Sequence, residues 1–120
     1  RGEDVSNWNS YERGMAIRER NINYLTMGPI IAMVMEGYNV IAGVRKVLGS
    51  TSPEAGDVGT IRYDYSLDTY MLADTVDRST RTMIHASDSV ESAERELKIW
   101  FTEDDICNNY ETSAEKIFYE

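Results

Sequence analysis

The only histidine of the chain, His85, lies in the segment MIHASDSVESAERE and is the residue best suited to nucleophilic chemistry. A neutral imidazole is a competent nucleophile near pH 7, because its unperturbed pKa is about 6.5. A carboxylate that accepts a hydrogen bond from one ring nitrogen fixes the tautomer and leaves the other nitrogen free to attack. The same segment offers Glu96 as that carboxylate and Ser87 as a neighbouring hydroxyl. A lone histidine at a strand end is more often structural, so the residue types alone leave both interpretations open.

Two arginines could complement a nucleophile that attacks phosphorus. Arg62 is the only basic residue of the loop at residues 50–65, and Arg45 lies near the end of the helix predicted before it. Guanidinium groups suit the negative charge that spreads over a transferring phosphoryl group. The alternatives are a surface salt bridge between Arg62 and an acid of the loop, and a dipole-matched, solvated pair formed by Arg45 and Lys46.

The elements around His85 are predicted to be a strand, a turn and a helix. Residues 81–84 read as a short strand and residues 85–87 as a turn. Asp88 is the expected N-cap, and Glu91 completes a capping box. The helix then has an apolar face at Val90, Ala93, Leu97 and Trp100. A histidine at such a junction is exposed on one side and held on the other.

The remaining elements are predicted from apolar runs and their breakers. The continuously apolar run PIIAMVM, residues 29–35, predicts a strand covered on both faces, with a buried helix segment as the alternative. Helices are expected at residues 12–27, at residues 39–48 with Asn39 as cap and Gly49 as stop, and around residues 68–74. Another helix start is expected at Thr102, and the aromatic side chains of the C-terminal tail are expected to dock on the domain.

Composition limits the class of protein and its partners. With 120 residues and 42% hydrophobic residues, the chain fits one globular domain. The net charge of −9 argues against a general nucleic-acid binder, but it allows a small anionic ligand held by local arginines with a metal ion. The single cysteine, Cys107, and the lack of a membrane-length apolar run or a visible signal peptide predict a cytoplasmic protein.

Four segments of the sequence together resemble the nucleoside diphosphate kinase family: MGPIIAMVMEGYNVI, LGSTSP, GTIRYDY and MIHASDSVESAERELKIWF. The similarity runs from about Tyr24 to the C-terminal FYE. It implies an α/β (α+β) fold with a ferredoxin-like core. It also implies transfer of the terminal phosphate of ATP or another nucleoside triphosphate to a nucleoside diphosphate, by a ping-pong route through a phosphohistidine. In the family, Mg²⁺ bridges the nucleotide phosphates.

The resemblance assigns roles position by position. His85 falls on the phosphorylated nucleophile, Glu96 on the carboxylate bound to its other ring nitrogen, and Ser87 on the hydroxyl that supports the pair. The positions of the phosphate-binding and nucleotide-binding residues are occupied by Arg45, Thr51, Arg62, Thr82 and, near the base, Ile17.

The sequence also departs from the family pattern. The family's lysine followed by Pro-Asp-Gly does not occur in the chain, and two of the four core strands would precede Arg1. We therefore expect residues 1–120 to form one N-terminally incomplete domain. Thr82 replaces the usual asparagine, Tyr63 replaces a glycine, and residues 66–80 form a longer segment than in the commonest members.

The resemblance implies a homo-oligomer, a hexamer or a tetramer, without fixing its size, and a broad choice of base. One alternative is a non-catalytic nucleotide-binding or regulatory module that kept the histidine turn. Another is an interaction protein whose histidine is structural. The presence of His85, Glu96, Arg45 and Arg62 together favours the enzyme.

Overall fold

Residues 9–118 are described by the computed structural model, and their regular structure is helical. The α-helices are α1 (Ser10–Leu25), α2 (Val40–Leu48), α3 (Ile61–Tyr65), α4 (Tyr70–Thr75), α5 (Val90–Trp100) and α6 (Ser113–Phe118). Two short 3-10 helices lie at Pro53–Ala55 and Glu103–Asp105. None of the helices in this range combines the length and apolar character that crossing a bilayer requires.

The helix predicted at residues 12–27 is confirmed as α1, although it starts and ends two residues earlier. Asn9 caps it, because its side-chain oxygen accepts from the backbone N–H groups of Tyr11 and Glu12, both at 3.0 Å. The Glu12 carboxylate accepts in return from the Asn9 N–H at 2.8 Å. This reciprocal capping box satisfies N–H groups that have no partner inside the helix.

Helices α2 and α5 form as predicted, apart from the residues that cap them. α2 ends at Gly49 as expected, but Asn39 adopts a left-handed conformation (φ 54°) and its side chain does not cap the helix. α5 begins one residue later than predicted, because Ser89 is the N-cap and its hydroxyl accepts from the Ser92 N–H at 3.1 Å. The predicted capping box of Asp88 and Glu91 is therefore wrong.

The C-terminal third and the segment before residue 81 match the predictions in part. The short helix expected around residues 68–74 is α4, capped by the hydroxyl of Thr69. Thr102 caps a 3-10 helix rather than an α-helix. The expected docking of the tail is wrong for Phe118, whose side chain is exposed on α6. Tyr119 lies outside the described residues.

Neither predicted strand forms within residues 9–118. Residues 29–35 and 81–84 carry no strand assignment. A strand requires a neighbour for its backbone N–H and C=O groups. Residues 29–36 make no backbone hydrogen bond to another extended segment of the described chain. The strand predicted at residues 29–35 and the alternative of a buried helix are therefore both wrong for the described residues, which leave this run without a pairing partner.

The buried core of the described residues is small. Its apolar members are Leu48 at the end of α2, Pro53 and Ala73 on α4. The radius of gyration is 18.1 Å, against about 13–14 Å for a compact domain of this length. The apolar run at residues 29–35 stays outside this core, and Ile31 is 89% exposed.

This exposure gives the first prediction. The 120-residue chain by itself should bind a hydrophobic dye and self-associate, since an unpaired apolar segment exposes both side chains and backbone groups. Substitution of Ile31 by lysine should reduce both dye fluorescence and association in light scattering. The matched control is Val58→Lys, which places the same charge at an 82% exposed residue outside the segment. Equal effects of the two substitutions would contradict the assignment of residues 29–35 as the surface that binds the dye and mediates self-association.

Candidate active site

His85 and Glu96 meet across the turn that joins residues 81–84 to α5. Nε2 of His85 lies 3.0 Å from Oε2 of Glu96. An ionised carboxylate only accepts, so in a neutral imidazole Nε2 carries the proton and Nδ1 keeps its lone pair. The His85 side chain is 74% exposed. The histidine is thus oriented through one nitrogen while the other remains accessible.

Ser87 completes this arrangement from within the turn. Its hydroxyl donates to the same Glu96 oxygen at 2.8 Å. The hydrogen bond from Ser87, and after it the one from His85, lower the pKa of Glu96 from its ordinary value. Both bonds favour the ionised carboxylate. Glu96 is therefore held as an anion that can stabilise positive charge on the imidazole.

Arg62, on α3, joins the loop after α2 to the residue before His85. Its Nη1 donates to the Gly49 carbonyl at 3.0 Å, and its Nη2 donates to the Ile84 carbonyl at 2.8 Å. Each Nη group carries a second N–H that these bonds leave over. Burial, and after it the positive charge of Arg45, lower the pKa of Arg62 from its ordinary value. Arg62 therefore faces a like charge across a partly desolvated space, which favours binding of an anion.

The interpretation of Arg62 as a surface salt bridge is wrong. Among residues 9–118, the ion pairs do not include Arg62, and its guanidinium binds backbone carbonyls instead. Its Nε is buried without a hydrogen-bond partner in this part of the chain. Burial of an N–H donor without a partner costs free energy of folding. Such a group in a native structure calls for an explanation, and a functional role is one.

A cavity of about 360 Å³ opens beside His85 and gathers most of the residues that the sequence singled out. The predicted residues in its wall are Arg45, Thr51, Arg62, Thr82, His85 and Glu96. Ser87 does not line the cavity, but its hydroxyl is hydrogen-bonded to Glu96, which does. A larger depression of about 560 Å³ runs along α1, but its only cationic side chain is Arg18 and it has no histidine. The chemistry therefore points to the smaller cavity.

Sequence reasoning did not place every residue of the cavity wall. Asp88, Ser92 and Arg95 also line it; Asp88 precedes the cap of α5, and the other two lie on that helix. The spacing of three and four residues from Ser92 to Arg95 and Glu96 places these three on one helical face, and this signal could have found Ser92 and Arg95. Ile17, by contrast, lies exposed on α1 and is not among the lining residues, so the structure does not bring it to this cavity.

Within the described range, no cluster of three or more histidine, cysteine or acidic side chains could hold a metal ion. The donor set near the cavity is instead cationic, with Arg45, Arg62 and Arg95 in its wall. Such a wall suits a metal ion that arrives on an anionic ligand better than an ion bound by the protein itself.

Comparison with known proteins identifies the family. A family model described as "Nucleoside diphosphate kinase" matches residues 2–106. A nucleoside diphosphate kinase of Methanosphaera stadtmanae is 48% identical over 99 residues, which cover 82% of this chain and 58% of the relative. One from Staphylococcus epidermidis is 40% identical over 111 residues, covering 92% of this chain and 67% of the relative.

Solved structures agree with the sequence comparison. An NDP kinase from Pyrobaculum aerophilum aligns with a TM-score of 0.78 at 41% identity, covering 81% of this chain and 53% of that one. A nucleoside-diphosphate kinase of Borrelia burgdorferi, a transition-state mimic with bound vanadate and ADP, aligns with a TM-score of 0.63 at 36% identity, covering 69% and 49%.

The chain belongs to the nucleoside diphosphate kinase family. Its fold is the α/β, ferredoxin-like fold of that family, as predicted, although residues 9–118 contain no assigned strand. The chain spans 58% of the length of the Methanosphaera stadtmanae relative and 59% of the length of two further curated nucleoside diphosphate kinases.

The loop that carries Arg62's partner gives the second prediction. Gly49 has φ 81° and ψ −171°, a region that is essentially restricted to glycine. An added Cβ would lie 2.5 Å from Oγ1 of Thr60. Gly49→Ala should therefore lower the free energy of unfolding by about 1–3 kcal/mol, measured by denaturant titration of the full chain.

The matched control for this substitution is Gly43→Ala on α2, where the added Cβ meets nothing within 4 Å. Alanine at a helical position should stabilise by up to about 1 kcal/mol. If the two variants changed stability by the same amount and in the same direction, the strained position assigned to Gly49 would be contradicted.

Proposed function

We propose that this chain carries the catalytic site of a nucleoside diphosphate kinase, which moves the γ-phosphate of a nucleoside triphosphate to a nucleoside diphosphate. The observation that carries the proposal is the 3.0 Å bond from Nε2 of His85 to Glu96, which leaves Nδ1 beside a cavity walled by arginines. Membership of the family supports the same reaction. So does the Borrelia burgdorferi relative, whose structure holds vanadate and ADP.

The proposed reaction has two half-steps. The Nδ1 lone pair of His85 attacks the γ-phosphorus, the bond from that phosphorus to the bridging oxygen breaks, and the nucleoside diphosphate leaves with the electron pair. A terminal oxygen of the second diphosphate then attacks the same phosphorus, and the P–N bond breaks to return the electron pair to Nδ1. Phosphorylation at Nδ1 makes the ring cationic, and the anionic Glu96 stabilises that charge through Nε2–H.

The cavity wall supplies the groups that would hold the transferring phosphates. Arg45 and Arg62 place cationic charge where negative charge develops, and Thr51 and Thr82 add hydroxyl groups. Arg62 is already fixed by two carbonyls, so it loses little conformational freedom on binding. We also propose that Ile17 stacks on the nucleotide base. This assignment rests on the family resemblance alone, because Ile17 does not line the cavity.

Mg²⁺ would enter with the nucleotide phosphates rather than occupy a site of its own. The cavity wall supports this, because Arg45, Arg62 and Arg95 attract an anionic ligand rather than a bare cation. When bound, the ion would act as a Lewis acid and neutralise part of the phosphate charge. Orientation of the nucleophile and direct contact with the transferring group remain the task of the protein side chains.

The finer properties of the protein follow from the same proposal. Its substrates would be ATP and other nucleoside tri- and diphosphates, with broad base choice and no specific nucleic acid. Residues 1–120 would form one family domain, part of a homo-oligomer of six or four subunits. The exposed apolar run at residues 29–35 supports burial against further polypeptide. The single cysteine supports a reducing, cytoplasmic compartment.

The third prediction concerns the covalent intermediate. Incubation of the full chain with γ-labelled ATP and Mg²⁺ should label His85 with one phosphate that is stable in base and labile in acid. His85→Ala should abolish both label and turnover, while the exposed-residue control Asp74→Asn should retain them. Label that persisted in the alanine variant would remove His85 as the nucleophile.

The fourth prediction concerns the arginines. Alanine at Arg45 or at Arg62 should lower kcat/KM by an amount equivalent to about 2–4 kcal/mol of transition-state stabilisation. Lys46→Ala is the control, since Lys46 follows Arg45 on α2 but does not line the cavity. Melting curves would show that each variant is folded. Unchanged kcat/KM in both arginine variants would exclude phosphate binding by this wall.

A further inference from the structure

The backbone that leads into His85 is held at Arg81 by two side chains. The N–H of Arg81 donates to Oδ2 of Asp68 at 2.6 Å. The carbonyl of Arg81 accepts from the hydroxyl of Ser66 at 2.8 Å. Both backbone polar groups of one residue are thus satisfied by two side chains from the connection between α3 and α4.

The Asp68 carboxylate is itself fixed. Asp68 is 8% exposed. Arg78 forms a bidentate pair with this carboxylate: Nη1 donates to Oδ2 at 2.6 Å, and Nη2 donates to Oδ1 at 2.9 Å. The same Nη1 donates to the Ser79 carbonyl at 3.0 Å. A two-pronged guanidinium–carboxylate pair is directional as well as strong, so Asp68 has little freedom to move away from Arg81.

The residues between Arg81 and the nucleophile transmit this constraint. Thr82 lines the cavity. Met83 has φ 64°, and the Ile84 N–H donates to the Thr82 carbonyl at 2.7 Å across it, which makes a tight three-residue turn. A positive φ at a non-glycine residue is strained and persists only when the surroundings impose it.

The far end of this turn is held as well. Tyr24 of α1 accepts the Met83 N–H on its hydroxyl at 2.9 Å. The Ile84 carbonyl accepts from Arg62. Residues 81–84 are therefore fixed at Arg81, Met83 and Ile84, and His85 follows directly. Of these partners, Arg62 lines the cavity, whereas Ser66, Asp68 and Tyr24 do not. Ser66 and Asp68 are the ones that hold both backbone groups of a single residue.

We propose that Ser66 and Asp68, with Arg78, are positioning residues that hold Arg81 so that Thr82 and His85 face the transferring phosphate. The proposal rests on the phosphotransfer function proposed above and adds residues to it that touch no substrate. It assigns a purpose to the segment at residues 66–80, which carries Ser66, Asp68 and Arg78. Displacement of a nucleophile by even about 1 Å can cost roughly a hundredfold in rate, so a distant hydrogen bond can control the chemical step.

The test uses the full chain, with Ser66→Ala and Asp68→Asn as variants. Asp74→Asn is the control, because it makes the same chemical change at an exposed acid on α4. Single-turnover phosphorylation of His85 by ATP with Mg²⁺ gives the rate of the chemical step. We expect both variants to lose about tenfold or more in that rate and in kcat, with KM for ATP changed by less than about threefold. The control should stay within about twofold of the parent.

A purely structural role predicts another result. Ser66→Ala would then lower the melting temperature but leave the single-turnover rate unchanged at temperatures where the variant is folded, and that result would overturn the proposal. If Asp68→Asn did not fold, Ser66→Ala would decide alone. It removes the bond from the Ser66 hydroxyl to the Arg81 carbonyl and the long contact at 3.5 Å from the Asp68 N–H, but leaves the Arg78–Asp68 pair in place.

A second readout separates this proposal from the proposed function. Carbethoxylation of His85 by diethyl pyrocarbonate, followed by mass spectrometry of the tryptic peptide at residues 82–95, reports its exposure without any nucleotide. We expect its rate to differ from the parent by about threefold or more in Ser66→Ala and to be unchanged in Asp74→Asn. If the parent formed no phosphohistidine, the proposed function would fail, and this reactivity would still decide the positioning role: equal rates in parent and Ser66→Ala overturn it.

Discussion

The hydrogen bond from the Arg81 backbone to the buried carboxylate of Asp68 is the constraint on which the histidine turn depends. Residues 81–84 have no strand beside them within the described chain, yet they include a strained residue, Met83, and lead directly into His85. Backbone groups away from water need partners. Within the described residues, partners are supplied by side chains of three segments: α1 (Tyr24), α3 (Arg62) and the connection after α3 (Ser66 and Asp68).

The cavity wall is rich in positive charge, although the chain as a whole is negatively charged. The net charge is −9, yet the cavity wall gathers three arginines, and Arg45 contributes to the lowered pKa of Arg62. The only carboxylates in that wall are Glu96, which is bonded to His85 and Ser87, and Asp88. A concentration of cationic groups that repel one another favours an anionic ligand locally, while the acidic remainder discourages binding along a nucleic-acid backbone. The charge of the whole chain therefore argues against one class of partner, and only the local arrangement favours another.

Local chemistry made the helices and the His85–Glu96–Ser87 group predictable. α1 and α2 follow from helix formers bounded by Gly28, Pro29 and Gly49, and the quoted motifs placed the phosphate-binding candidates beside His85. The strands were not predictable in the same way, because a strand at residues 29–35 depends on neighbours and not on its own apolar run. The roles of Ser66, Asp68 and Arg78 depend on contacts across up to 15 positions of the chain, and no periodicity in the sequence signals them. The cap of α5 was misplaced by one residue because Asp88 and Ser89 are both good capping residues, and only the backbone angles choose between them.

The central claim is that side chains, and Asp68 first among them, hold the backbone leading into His85. Native-state hydrogen exchange of the Arg81 amide tests it most directly, because that N–H donates to Asp68 and to no other group in the described residues. We expect the amide to exchange far more slowly than in an unstructured peptide and to lose that protection when Asp68 is replaced by alanine, which removes the accepting oxygen, with the helical amides of α5 unaffected. An Arg81 amide that exchanged at the rate of an unstructured peptide in the parent protein would contradict the account.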